Sequence, residues 1–119
     1  MKRLPLTALA LLLPFLAQAE KPLKVAWELT EDITAPESAY LDAGTGFLYL
    51  SQIGGGGGKA KDGDGRISKL RPDGTMVKAD WATGLNAPKG LRSANGRLWV
   101  SDIDRVVAFD LKSGTQVQE

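Results

Sequence analysis

A chain of 119 residues without a cysteine or a histidine can form no disulfide. It also cannot build a Ser-His-Asp or Cys-His mechanism, or an imidazole zinc site, from its own residues. Its formal charge of +1 provides no basic field for nucleic acid or an anionic membrane surface, so neither is expected as a partner.

The first 19 residues read as a secretory signal peptide. Lys2 and Arg3 form a short cationic start, Leu4 to Leu16 an apolar run, and Ala17-Gln18-Ala19 a small-x-small cleavage site. The apolar run is too short to span a bilayer. Cleavage after Ala19 predicts an exported chain, periplasmic or secreted, covering residues 20–119. Loss of Lys2 and Arg3 shifts the formal charge from +1 to −1. No cysteine follows the cleavage site, which excludes a lipid anchor there.

Beyond Ala19 no segment has a convincing helical period, and the fold class predicted is all-β. Residues 23–30, LKVAWELT, read as one strand. Phe47-Leu48-Tyr49-Leu50 and Leu98-Trp99-Val100 are short apolar runs, rich in aromatic and branched residues and bounded by turns. Strands apolar on both faces are buried on both faces. Ala43-Gly44-Thr45-Gly46 and Ala94-Asn95-Gly96 precede them as hairpin turns, and Asn-Gly is a strong signal of that kind. Pro72-Asp73-Gly74 and Lys112-Ser113-Gly114 read as further turns.

The chain repeats itself. PESAYLDAGTGFLYLSQI (36–53) matches PKGLRSANGRLWVSDI (88–103), and RISKLRPDGT (66–75) matches RVVAFDLKSGT (105–115). A period of about 50 residues built from short strands indicates a β-propeller blade. One blade is expected over 36–85 and an incomplete one, of about three strands, over 86–119. Segment 23–30 would be a strand that closes the ring. A propeller needs roughly four to eight blades, so the sequence reads as the first part of a longer protein or an early-terminated copy.

Between the paired segments the first repeat carries an insertion, GGGGGKAKDGDGR (54–66). It is not a phosphate loop. Ile53 stands where the first glycine belongs, Ala60 follows Lys59 in place of Ser or Thr, and no helix follows. Asp62 to Ile67 resembles the middle of an EF-hand loop. However, Ala60 and Arg71 fall where the first and last ligands belong, so only two of the required carboxylates are present. The preferred reading is a flexible polar turn whose glycines permit positive φ. A flap over the mouth of the propeller is its functional alternative. Trp27, Trp81 and Trp99 are assigned to strands and to packing. Asp102 and Asp104 are assigned to hydrogen bonds with the adjacent turn rather than to a cation.

Taken together, these residues resemble the six-bladed propellers of the gluconolactonase/regucalcin-like family. The likeness is most specific in PESAYLDAGTGFLYLSQI. It implies that Glu37, at the start of an innermost strand, is one ligand of a divalent cation on the propeller axis: calcium, magnesium or manganese. It further implies hydrolysis of a small sugar lactone or ester. The family's usual Asn-Asp-Gly at the opening of the second blade is replaced here by Pro88-Lys89-Gly90. Asn86, after a shift, and Lys89 are therefore the candidate contacts for a small-molecule substrate. Ala87-Pro88-Lys89-Gly90 also looks like the opening of an NHL-type propeller, which implies a non-catalytic alternative that binds a ligand or a protein.

Overall fold

The computed structural model describes residues 21–119. The signal-peptide reading lies outside them. The described chain is all-β, as expected. It forms two four-stranded antiparallel sheets, each a meander in which consecutive strands are neighbours. The first holds β1 (Pro36–Leu41), β2 (Leu48–Gln52), β3 (Gly65–Leu70) and β4 (Met76–Leu85). The second holds β5 (Leu91–Ala94), β6 (Arg97–Ser101), β7 (Val106–Asp110) and β8 (Gln116–Gln118). Among the described residues no helix is long and apolar enough to cross a membrane.

Local chemistry sets the turns. Asn95 and Gly96 both have positive φ, 52° and 73°, and join β5 to β6 with Ala94 opposite Arg97. That is the two-residue hairpin that matches strand twist. In the β1–β2 turn the Asp42 carboxylate accepts the Thr45 amide at 2.7 Å. In the β7–β8 turn Asp110 accepts the amides of Lys112 and Ser113. Each aspartate satisfies turn amides that no strand reaches.

Residues 21–30 form no strand and pair with neither of these two sheets; the ring-closing role expected of 23–30 concerns a further sheet and is not tested by them. Trp27 is therefore not a strand residue. It lies against the β3–β4 turn, with Nε1 donating to the Pro72 carbonyl at 2.9 Å and the ring over Gly74. A strand needs a ladder, and no edge of either sheet is used by this segment. One expectation is corrected: the second sheet has four strands rather than about three. Its last is short and exposed, and is held to β7 through Ala108 and Phe109.

The register divides each sheet into two faces. In the first, Tyr49 lies opposite Tyr40 and Lys69, and Ser51 opposite Ile67. In the second, Leu98 lies opposite Ser93 and Phe109, and Val100 opposite Leu91 and Val107. These two faces meet. Tyr49, Ile67, Trp81 and Leu85 from the first sheet join Leu91, Leu98, Val100, Val107 and Phe109 from the second in one core. Trp81 bridges it, with ring centroids 4.8 Å from Tyr49 and 6.3 Å from Phe109, both tilted. Tilted aromatic pairs are favoured by ring electrostatics beyond the area they bury. Near this core a polar link crosses between β1 and β5. Tyr40 Oη and Ser93 Oγ are 2.9 Å apart, and Ser93 Oγ donates to the buried Asp42 carboxylate at 2.5 Å. These bonds, with the Thr45 amide, hold the Asp42 carboxyl below the usual carboxylate range.

Candidate functional site

β1 and β5 are adjacent; Glu37 lies near the start of β1, and Asn86 and Lys89 lie just before β5. Glu37 sits in a register irregularity between Pro36 and Ser38, in the first turn of the β1 ladder. Such a bulge re-aims a side chain out of the pleat. Glu37 is exposed, and its Oε2 accepts from the Ser38 hydroxyl at 2.6 Å.

The second repeat places Lys89 at the position of Glu37, since Pro36 matches Pro88. The same place thus carries a carboxylate in one repeat and an ammonium in the next. Lys89 is half-buried, and its Nζ donates to the carbonyls of Gly58 and Ala87, both at 3.1 Å. Asn86 Oδ1 accepts the Gly63 amide at 3.1 Å. Both sequence-predicted substrate contacts are therefore brought together, and both grip the glycine-rich insertion.

The insertion lies against the opening of the second sheet. Besides Asn86 and Lys89, Asp104 holds it through Lys61 Nζ at 2.5 Å, with both side chains more than half exposed. Its own aspartates shape it. Asp64 Oδ2 accepts the Gly55 amide at 2.8 Å, and Asp62 Oδ1 accepts the Asp64 amide at 3.1 Å. Two of the glycines are obligatory for this. A Cβ on Gly54, whose φ is +88°, would lie 2.5 Å from Asp64 Oδ2, and one on Gly56 would overlap Asp62 Oδ2. The aspartates thus fold the turn, in line with the polar-turn reading.

A second feature, missed in the sequence, recurs at the same place in both repeats. Gln52 and Asp102 are equivalent, as are Arg66 and Arg105. Gln52 is fully buried; its Oε1 accepts the Thr34 amide at 2.6 Å and its Nε2 donates to Asp32 O and Ser68 Oγ. Arg66 Nη2 donates to the Asp32 carbonyl at 2.6 Å. In the second repeat Asp102 accepts the amides of Asn86 and Ala87 at 2.9 and 2.8 Å, and Arg105 Nη2 donates to the Gly84 carbonyl at 2.8 Å. Asp32 and Gly84 both have positive φ, 57° and 79°. Each repeat therefore clasps its own lead-in peptide with an arginine and an amide-accepting side chain. The match of Ile53 with Ile103 in the aligned repeats was the signal that could have exposed it.

Burial opposes the charge on Asp102. The amides of Asn86, Ala87 and Ile103 and the Arg105 guanidinium outweigh it and hold its carboxyl below the usual range. The assignment of Asp102 to turn hydrogen bonds is thus met. Asp104 serves Lys61 instead. Behind the first clasp lies a polar cleft of about 300 Å³, lined by Gln52, Gly54, Asp64, Arg66, Asp80 and Thr83 among others. Arg66 Nη1 is already paired there with Asp80 at 2.9 Å.

A cation site needs several converging oxygens. Among the described residues no three acidic, histidine or cysteine side chains converge. Glu37 fits as a single hard ligand. No family model matches the chain, and neither the curated proteins nor the solved structures give a match.

Proposed function

We propose that this chain is part of an exported β-propeller of gluconolactonase/regucalcin-like type, which hydrolyses a small sugar lactone or ester. The observation that carries this reading is the placement of Glu37. Two stacked meanders bring their first strands together, and Glu37 is exposed at the start of β1 with only a neighbouring hydroxyl on its carboxylate among the described residues. A calcium, magnesium or manganese ion bound there would supply Lewis-acid polarisation of the lactone carbonyl. Glu37 would be one hard oxygen ligand for such an ion. Ser38, through its bond to Oε2, orients the carboxylate.

The second reading is a propeller that binds without catalysis. It is favoured by a specific observation: Asn86 and Lys89, the two candidate substrate contacts, are both engaged with the glycine-rich insertion. On this reading the insertion and the second-sheet opening form one composite binding surface.

Titration of wild type and Glu37→Ala with manganese and with calcium separates the two. Loss of a carboxylate ligand weakens affinity at least about tenfold on the first reading. Equal affinity in both proteins removes Glu37 from any metal site, and absence of hydrolysis across a panel of sugar lactones leaves the binding reading.

A further inference from the structure

The cations around the opening of the second sheet are paired with carboxylates: Lys61 with Asp104, Arg66 with Asp80, and Arg105 with Asp102 and Glu119. Among the described residues Lys89 has no such pair. Its half-buried ammonium gives two of its three donors to the carbonyls of Gly58 and Ala87. Those oxygens satisfy hydrogen bonds but supply no counter-charge. A charge drawn partly out of water is normally paired, and the third donor is left to give.

The fold fixes this ammonium on both sides. The Lys89 amide donates to the Ser101 carbonyl at 2.8 Å, which ties its backbone to β6. The Gly58 carbonyl belongs to the insertion, which Asn86 and Asp104 hold through Gly63 and Lys61. Lys89 also lies beside the strand that carries Glu37. The buried Ser51 Oγ accepts the Ser38 amide at 3.0 Å and donates to the Lys89 carbonyl at 2.8 Å. The backbones next to Glu37 and at Lys89 thus meet at one hydroxyl.

We propose that Lys89 reads a free carboxylate on the ligand, so that the ligand class is a sugar acid or its carboxylate-bearing lactone rather than a neutral sugar lactone. One remaining donor and one charge suit a single oxygen of a monoanion. A phosphate dianion asks for more donors than this ammonium has left. For the sugar part this inference rests on the lactonase reading. For the carboxylate it rests on Lys89 and its surroundings, and no metal at Glu37 enters it.

Calorimetry in metal-free buffer tests it with three probes: gluconate, glucitol, which is the same polyol without the carboxylate, and inorganic phosphate. The proteins are wild type and Lys89→Gln, which keeps a donor for the two carbonyls and loses the charge. Wild type is expected to bind gluconate at least about tenfold more tightly than glucitol. That preference should shrink as salt is raised and vanish in Lys89→Gln, with the urea midpoint of the variant close to that of wild type. No preference for gluconate over glucitol in wild type, or a preference that survives in Lys89→Gln, overturns the proposal. Phosphate bound more tightly than gluconate overturns the carboxylate assignment. Lactone hydrolysis is followed separately. Selective gluconate binding without hydrolysis of any lactone sets aside the lactonase reading and leaves the carboxylate site standing. Hydrolysis of neutral lactones by a chain that binds gluconate and glucitol alike does the reverse.

Discussion

Removal of the Asp102 side chain tests the clasp most directly. Its carboxylate is fully buried as a side chain and accepts four donors: the amides of Asn86, Ala87 and Ile103 at 2.9, 2.8 and 3.0 Å, and Arg105 Nε at 3.1 Å. A hydrogen bond to a charged group contributes about 1.5–3 kcal/mol net, and a buried donor left without a partner costs about 1–3 kcal/mol. Arg105 keeps the Gly84 carbonyl and Glu119 as partners, so its loss is partial. The backbone donors act as one group and do not add. Asp102→Ala is therefore expected to lose about 3–5 kcal/mol, a large part of the stability of a domain of this size. Asp102→Asn keeps one oxygen but turns an NH2 toward donors, and should lose about 2–3 kcal/mol. Urea denaturation with an unchanged m-value measures both. The pH dependence adds a second constraint. The folded carboxyl titrates below its unfolded value, so its contribution is present above about pH 4 and is lost as pH falls through the folded value. The gap between wild type and Asp102→Asn should thus be widest near neutrality and narrow below about pH 4. A loss under about 1 kcal/mol for Asp102→Ala, or a gap that stays constant into acid, would refute the clasp as a stabilising device.

Two other substitutions probe the packing between the sheets. Trp81→Ala removes the ring that joins Tyr49 to Phe109 and should cost about 3–5 kcal/mol in urea, and a cost below about 1 kcal/mol would mean that the two sheets do not share one core. Gly114→Ala, at φ +73° with a Cβ 2.5 Å from the Trp81 carbonyl, should cost about 1–3 kcal/mol, whereas Gly58→Ala, with open space around it, should leave the urea midpoint nearly unchanged.

Much of this architecture was legible along the chain. The two apolar runs, their hairpin turns and the period between them place β1–β3 and β5–β7 close to where they lie, because strand alternation and turn chemistry act over a few residues. Asn95-Gly96 shows this best, since only residues tolerant of positive φ close a hairpin of that length. Segment 23–30 shows the converse. Its alternation suits a strand, but a strand exists only if an edge accepts it. Trp27 found the β3–β4 turn instead, a partner 45 residues away.

The candidate site divides along the same line. Composition alone removed disulfide, imidazole and thiol chemistry, since missing side chains cannot be supplied by folding. The repeat aligns Glu37 with Lys89 and Gln52 with Asp102. What those residues do was set in three dimensions. Asn86 and Lys89 are bound to Gly63 and Gly58, and Gln52 and Asp102 hold lead-in peptides, because hydrogen bonds form between groups that packing brings within about 3 Å, whatever their separation in sequence. Local rules thus specify strands and turns. Only the stacking of two sheets decides which polar side chains are left to face solvent, and there Glu37 remains.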